Sequence, residues 1–323
     1  MMRLLTGIFT AAVIAMAVAG WAFYKFQQPG PLSRPLVLTI PKGAGLTDIA
    51  TLLNAEGVIE YPWLFVAGVR VSDRGRGLRA GEYEIPAGIS PQGVMELLLD
   101  GKSIQHRITI VEGFTVSQAL AAVADAEALT GEITAPPEEG RMLPETYYFD
   151  RGEDRQALVD RMAADLDKAL DELWPGRSPD AMVKDKQQAL ILASIVERET
   201  AVADERPRVA AVYTNRLRIG MRLQADPTVA YGLSGGTGTL DRPLLKKDLE
   251  TPGPYNTYLN AGLPPGPIAL PSRAAIAAVL NPAKTKEIYF VADGSGGHAF
   301  AETLAQHNRN VARWRRLQRQ KSK

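Results

Sequence analysis

Two glutamates close a run of residues that is otherwise almost wholly apolar. Residues 187–200 read QQALILASIVERET, ending in Glu197, Arg198, Glu199 and Thr200. A stretch apolar nearly all round reads as a buried helix. On 3.6-residue geometry Leu190, Ala193, Ser194 and Glu197 share one face, and Leu192, Ile195, Val196 and Glu199 share another. A carboxyl at a helix C-terminus opposes the macrodipole, and an apolar wall adds desolvation. Both effects favour the protonated form, which can serve as a general acid near neutral pH. The bland alternative is a pair of solvated end residues matched with Arg198, or with Arg206 and Arg208. Periodicity alone does not choose between Glu197 and Glu199.

A second set of candidates lies downstream. Residues 221–229 read MRLQADPTV, followed by Tyr231-Gly232 and a glycine-rich loop with glycines at 232, 235, 236 and 238. That loop lacks the Gly-Lys-Ser/Thr ending of a phosphate-binding loop. Residues 255–258 (YNTY) and 262–268 (GLPPGPI) are too rich in Pro and Gly for packed regular structure. Their Tyr, Asn and Thr side chains offer a sugar apolar ring faces and edge hydrogen bonds. An ordered surface loop with satisfied polar groups is the competing reading.

Other chemistries are excluded or disfavoured by composition. The 323 residues include no cysteine, so thiolate chemistry and disulfides are impossible. His106, His298 and His307 match no metal-ligand spacing, and neither a metal nor a cofactor is expected. Lys and Arg number 37 against 36 Asp and Glu, a balance that argues against a nucleic-acid partner.

The elements that must position these residues can be read outward from them. Asp204, Glu205 and Pro207 suit the start of a helix whose stripe is Val209, Val212, Tyr213, Arg216 and Leu217, ending at Gly220. Residues 155–173 predict an amphipathic helix through Leu158, Met162, Leu166 and Leu170. Further upstream one grammar occurs three times: short strand, glycine turn, short helix, with turn glycines at 43, 88 and 113. Another short helix is expected from Tyr61 to Val71. Residues 26–35, with three prolines and a glycine, read as a linker. Residues 4–24 carry no charge and end in Trp21, Phe23 and Tyr24, as a membrane-spanning helix with interfacial aromatics would. A cleaved signal peptide with Ala17-Val18-Ala19 as its cleavage site is the alternative. The expected class is α+β: an N-terminal transmembrane helix, a small α+β module and a larger mixed α+β domain.

Taken together, LASIVERET (192–200), NRL (215–217), MRLQADPTV, YNTY and GLPPG (262–266) resemble the YceG-like (MltG) endolytic murein transglycosylases. YFVADG (289–294) and GHAF (297–300) fit the same family. The resemblance implies an anchor over 1–25, the linker 26–35, a LysM-like module over 36–103, a catalytic domain over 104–312 and a basic tail over 313–323. It implies that Glu197 is the catalytic acid and base, which breaks the tie with Glu199. It implies substrate contacts from Gln224, Asp226, Tyr255, Asn256 and Tyr258. The implied activity is cleavage between N-acetylmuramic acid and N-acetylglucosamine, leaving 1,6-anhydro ends and terminating nascent strands at the inner membrane. Glycan strands are the implied substrate and glycan-synthesising enzymes the implied partners. Glu145 stands where the family's Pro-acid-Thr-Tyr motif usually has Asp. A hydrolase of the same polymer, with Glu199 or Asp226 as second carboxylate, and a non-enzymatic wall-binding protein are the competing functions.

Overall fold

The uncharged N-terminal run forms one helix, α1 (Met2–Gln27). The computed structural model describes residues 2–321; residue 1 of the expected anchor and residues 322–323 of the expected tail lie outside the described residues. Within α1, the 23 residues Leu5–Gln27 are long and apolar enough to cross a membrane. At about 1.5 Å per residue they reach roughly 34 Å, slightly more than a bilayer's hydrocarbon core.

The chain divides into two compact units, Met1–His106 with Tyr148–Glu153, and Arg107–Tyr147 with Asp154–Lys323. The architecture is mixed α+β, as expected. In the first unit α1 is followed by β1 (Leu36–Ile40), α2 (Leu46–Ala55), α3 (Pro62–Val71), β2 (Gly81–Ile85) and α4 (Pro91–Asp100). β1 and β2 pair antiparallel, with Leu36 opposite Ile85, Leu38 opposite Tyr83 and Ile40 opposite Gly81. Leu38, Ile40, Leu53, Phe65, Tyr83, Ile85 and Leu98 form its core.

The stretch expected as a linker is irregular beyond Gln27, but it is tied down. Phe26 is buried, the Gly30 N–H donates to the Ile89 carbonyl at 3.0 Å, and Gly88 N–H donates to Leu32. A Cβ at Gly30 would lie 2.5 Å from the Val58 carbonyl oxygen, so only glycine fits there.

In chain order the remaining elements are β3 (Gln105–Thr109), α5 (Val116–Ala124), β4 (Leu129–Thr130), β5 (Thr146–Asp150), β6 (Glu153–Asp154), α6 (Arg155–Leu173) and α7 (Lys186–Glu199). Then come α8 (Arg206–Arg218), α9 (Asp226–Leu233), α10 (Lys246–Leu249), α11 (Arg273–Leu280), β7 (Tyr289–Ala292), β8 (His298–Ala301) and α12 (Leu304–Lys321). β3 pairs with β5, β4 with β6, and β7 with β8. All three turn glycines of the repeated grammar adopt left-handed φ: 81° at Gly43, 67° at Gly88 and 77° at Gly113. A side chain there would be strained, which is why the pattern keeps glycine at each turn.

The second unit is built around α7. Asp185 caps it by accepting from the Gln188 N–H at 2.7 Å. Every residue from Ala189 to Val196 is buried. α7 packs chiefly on α11 and α8, which accounts for its apolar character on both faces. The NRL segment of α8 holds structure together: Asn215 Nδ2 donates to the Thr285 and Glu287 carbonyls, each at 2.9 Å. Arg216, itself buried, donates from Nε to the Ile288 carbonyl at 2.7 Å and from its terminal nitrogen to Leu223.

Candidate active site

α7 presents its two carboxylates in different directions, because residues two apart are about 200° apart around a helix. The face carrying Glu197 meets the 262–272 segment. One turn earlier, the buried Ser194 hydroxyl donates to Ile191 and accepts from the Ile268 N–H at 3.0 Å. This fastens the Pro-rich loop along α7 and brings its end, Ser272, to Glu197. Ser272 donates to Glu197 Oε2 twice, from its N–H at 2.9 Å and from its hydroxyl. The same hydroxyl caps α11 by accepting from the Ala275 N–H at 3.1 Å. Glu197 Oε1 receives Arg206 from the start of α8 at 3.1 Å, in a pair whose side chains are 10% and 4% exposed.

Arg206 also reaches Glu112 Oε2 at 2.9 Å. One guanidinium therefore bridges two carboxylates. Burial, and then the charge of Glu197, push the Glu112 carboxyl upward in pKa, while Arg206 pulls it down. Glu112 precedes the turn glycine Gly113, whose carbonyl accepts from Arg198 at 3.1 Å.

The other face of α7 sends Glu199 into a protein-lined site beside α8. Its Oε1 accepts from the buried Tyr213 hydroxyl at 2.6 Å. Burial pushes its carboxyl from the ordinary 4.5 up to about 7; the tyrosine hydrogen bond opposes that rise and nearby Asp226 adds to it. Neither glutamate is a freely solvated end residue, since the Glu197 side chain is 4% exposed and Glu199 is half-buried, although the pairing of Glu197 with Arg206 was among the expectations of the bland alternative. Glu112, Glu197, Arg198, Glu199 and Arg206 border one open cleft of about 370 Å³. A larger groove of about 680 Å³, between Arg218 and the 282–287 segment, borders neither glutamate of α7.

The other sequence-predicted residues fall into four environments. Asp226 opens α9 and accepts from the Tyr258 hydroxyl at 2.6 Å, and both act electrostatically on or with Glu199. Gln224 is exposed, with φ of 50°, a left-handed conformation that a non-glycine residue seldom adopts without cost. Its N–H is held by the Thr257 carbonyl at 3.1 Å. Tyr255 packs edge-on against Tyr231 with ring centroids 4.9 Å apart. Asn256 is 3% exposed; its amide donates to Leu249 and Thr251, and its oxygen accepts from the Tyr258 N–H. Those bonds make it the internal brace of the YNTY loop. None of Gln224, Asp226, Tyr255, Asn256 and Tyr258 borders the cleft that holds Glu197.

Sequence reasoning missed Ser272 and Glu112 as neighbours of Glu197, Tyr213 as the partner of Glu199, and the half-buried Glu139. Glu139 accepts from the Val116 and Gly140 N–H groups at 3.0 and 3.1 Å, and burial raises its pKa. A signal existed for Ser272 alone, since Ser before RAAIAAVL is a helix-start signature. His298 is a clamp: its ring and its N–H both meet Glu205, at 2.7 and 2.8 Å, tying the β7–β8 hairpin to the start of α8.

Several known proteins are similar to this chain. An endolytic murein transglycosylase of Bacillus subtilis (strain 168) is 30% identical over 306 residues, covering 84% of this chain and 82% of its own. An endolytic murein transglycosylase of Streptococcus pneumoniae serotype 2 is 28% identical over 322 residues, covering 84% of this chain and 57% of its own. A crystal structure from Listeria monocytogenes, described as yceG-like, superposes with a TM-score of 0.53 at 29% identity, covering 86% of this chain and 99% of that one. The sequence profile of the YceG-like family matches residues 38–313, and the chain belongs to that family.

Proposed function

We infer that this chain is a lytic transglycosylase of peptidoglycan, with Glu197 at its reacting centre. The observation that supports this best is the setting of Glu197: an enclosed carboxylate at the end of α7, on an open cleft, met by Arg206 and by two donors from Ser272. Glu197 protonates the glycosidic oxygen between N-acetylmuramic acid and N-acetylglucosamine. As carboxylate it then accepts the proton of the muramic C6 hydroxyl, which attacks C1 and closes a 1,6-anhydro ring. The nucleophile belongs to the substrate, so the second flanking carboxylate of a hydrolase is not required. Arg206 and Ser272 fix the carboxylate's orientation, and preorganised donors of this kind need no rearrangement as charge develops.

Gln224, Asp226, Tyr255 and Tyr258 are carried over from the family motifs as glycan contacts, with Asn256 bracing the loop that carries the two tyrosines. Residues 36–103 are proposed as a LysM-like glycan-binding module and residues 104–312 as the catalytic domain. α1 is proposed as a single-pass inner-membrane anchor with the bulk of the chain outside the cytoplasm. Termination of nascent strands beside glycan-synthesising enzymes is the cellular role that the family resemblance suggests.

One observation favours a second arrangement of the same chemistry. Both oxygens of Glu197 already face donors, whereas burial keeps Glu199 protonated to about pH 7. In that arrangement Glu199 supplies the proton and Glu197 receives the one from the C6 hydroxyl. Full-length protein in detergent, incubated with unmodified glycan strands in water enriched in heavy oxygen, separates these readings by mass spectrometry. Unlabelled anhydro ends, lost in Glu197→Gln, are expected. Labelled reducing ends, or full activity in Glu197→Gln, would refute the proposal. Equal loss in Glu199→Gln, with folding intact, selects the second arrangement.

A further inference from the structure

α3 is apolar almost throughout, yet only one side of it is covered. Leu64, Phe65 and Val69 point into the core of the first unit, while Trp63 stays 54% exposed at the helix start. A single exposed tryptophan needs no explanation, but a contiguous cluster of exposed apolar rings marks an interaction surface. The neighbouring helix completes such a cluster.

Trp63 stacks on Trp21 of α1, ring centroids 6.3 Å apart and 19° between planes. Tyr61 joins them at 5.9 Å from Trp21 and 6.4 Å from Trp63. Further along, Phe26 lies against Gly68: a Cβ on Gly68 would come within 2.4 Å of the Phe26 ring. Trp21 to Phe26 is five residues on α1, and Trp63 to Gly68 is five on α3. The two helices therefore run side by side in the same direction, and Trp63 lies level with Trp21.

Trp21 is inside the apolar stretch Leu5–Gln27. It stands about 24 Å along the helix from Leu5, near the edge of a hydrocarbon core roughly 30 Å thick. Lys25, one turn on, sits 3.7 Å from Glu60 and over the Tyr61 ring, as a cation at the headgroup level would. We propose that the start of α3, Tyr61 and Trp63, lies in the interfacial zone of the bilayer that α1 crosses, so that the first unit rests on the membrane. The aromatic belt of the anchor is thus completed by residues distant in sequence. This rests on the reading of α1 as a membrane span.

The natural chain has no cysteine, so single cysteines can be labelled with nitroxide in the full chain, reconstituted in phosphatidylethanolamine–phosphatidylglycerol vesicles. Ile14→Cys tests the span, Trp63→Cys the docking, and Val71→Cys the far end of α3, about 12 Å further from the membrane. Access to oxygen against a water-soluble nickel chelate gives the depth of each. The expected order is Ile14 deep, Trp63 interfacial, Val71 in water. Ile14 deep with Trp63 as wet as Val71 overturns the docking and leaves the anchor standing. Ile14 in water overturns both. Trp63 as sole tryptophan, with Trp21, Trp174 and Trp314 changed to Phe, gives the same answer without a label: quenching by lipids brominated near the headgroup is expected, and its absence overturns the docking.

Discussion

Replacing Glu199 by glutamine should stabilise the second unit, and only at high pH. The carboxyl is packed against Tyr213 of α8, and burial lifts it from 4.5 to about 7. That rise corresponds to about 3 kcal/mol of preference for the neutral form. Below pH 4.5 the group is protonated whether the chain is folded or not, and no penalty applies. Between 4.5 and about 7 the unfolded chain ionises first, so the folded state holds more protons and stability falls as pH rises. Above about 7 both states are ionised and the full penalty remains. Glutamine keeps the oxygen that accepts from Tyr213 and removes the charge. The stability difference between Glu199→Gln and the natural chain should therefore grow by about 3 kcal/mol from pH 4 to pH 8. Trp174 packs against the core of this unit, so in a background with Trp21, Trp63 and Trp314 changed to Phe its emission during denaturant unfolding in detergent reads the transition. Taking the difference between the two proteins cancels every other titrating group. A difference that stays flat across this range would refute the burial argument.

Arg206→Ala leaves Glu197 enclosed without its cation, and breaking a buried pair from one side should cost about 3 kcal/mol. Much of that should return in the double variant with Glu197→Gln, as read by thermal melting. Gln224→Gly relieves the left-handed backbone at φ 50° and should stabilise the chain by about 1 kcal/mol. Its strand cleavage should fall if the side chain touches glycan; unchanged cleavage removes Gln224 from the contacts.

Local pattern made much of this fold legible. The amphipathic stretch 155–173 is α6 residue for residue, and the apolar run 187–200 is α7 shifted by one residue at each end. Three turn glycines marked three strand–helix units, because left-handed backbone has a sequence cost that shows as glycine. What stayed hidden depends on distant segments meeting. Ser272 reaches Glu197 across 75 positions, by way of a Pro-rich loop held on Ser194. Asn256 has the right chemistry for a sugar, but its hydrogen bonds are spent inside its own loop. Residue type gives capacity; only the tertiary arrangement says who uses it.

The tie between Glu197 and Glu199 could not be broken by periodicity for a physical reason that the structure supplies. Both faces of α7 are apolar because both are covered, one by α11 and the 262–272 segment, the other by α8. Equal patterning upstream then ends in unequal surroundings. One carboxylate finds a guanidinium, an amide and a hydroxyl; the other finds a phenol and an enclosed site. Acid–base catalysis needs groups whose environments differ in this way, and two residues of one helix achieve it without any difference in local sequence. Ser272 is the element on which this asymmetry turns. Its hydroxyl caps α11 and holds Glu197 at once, so the register of α11 against α7 sets the geometry of the site.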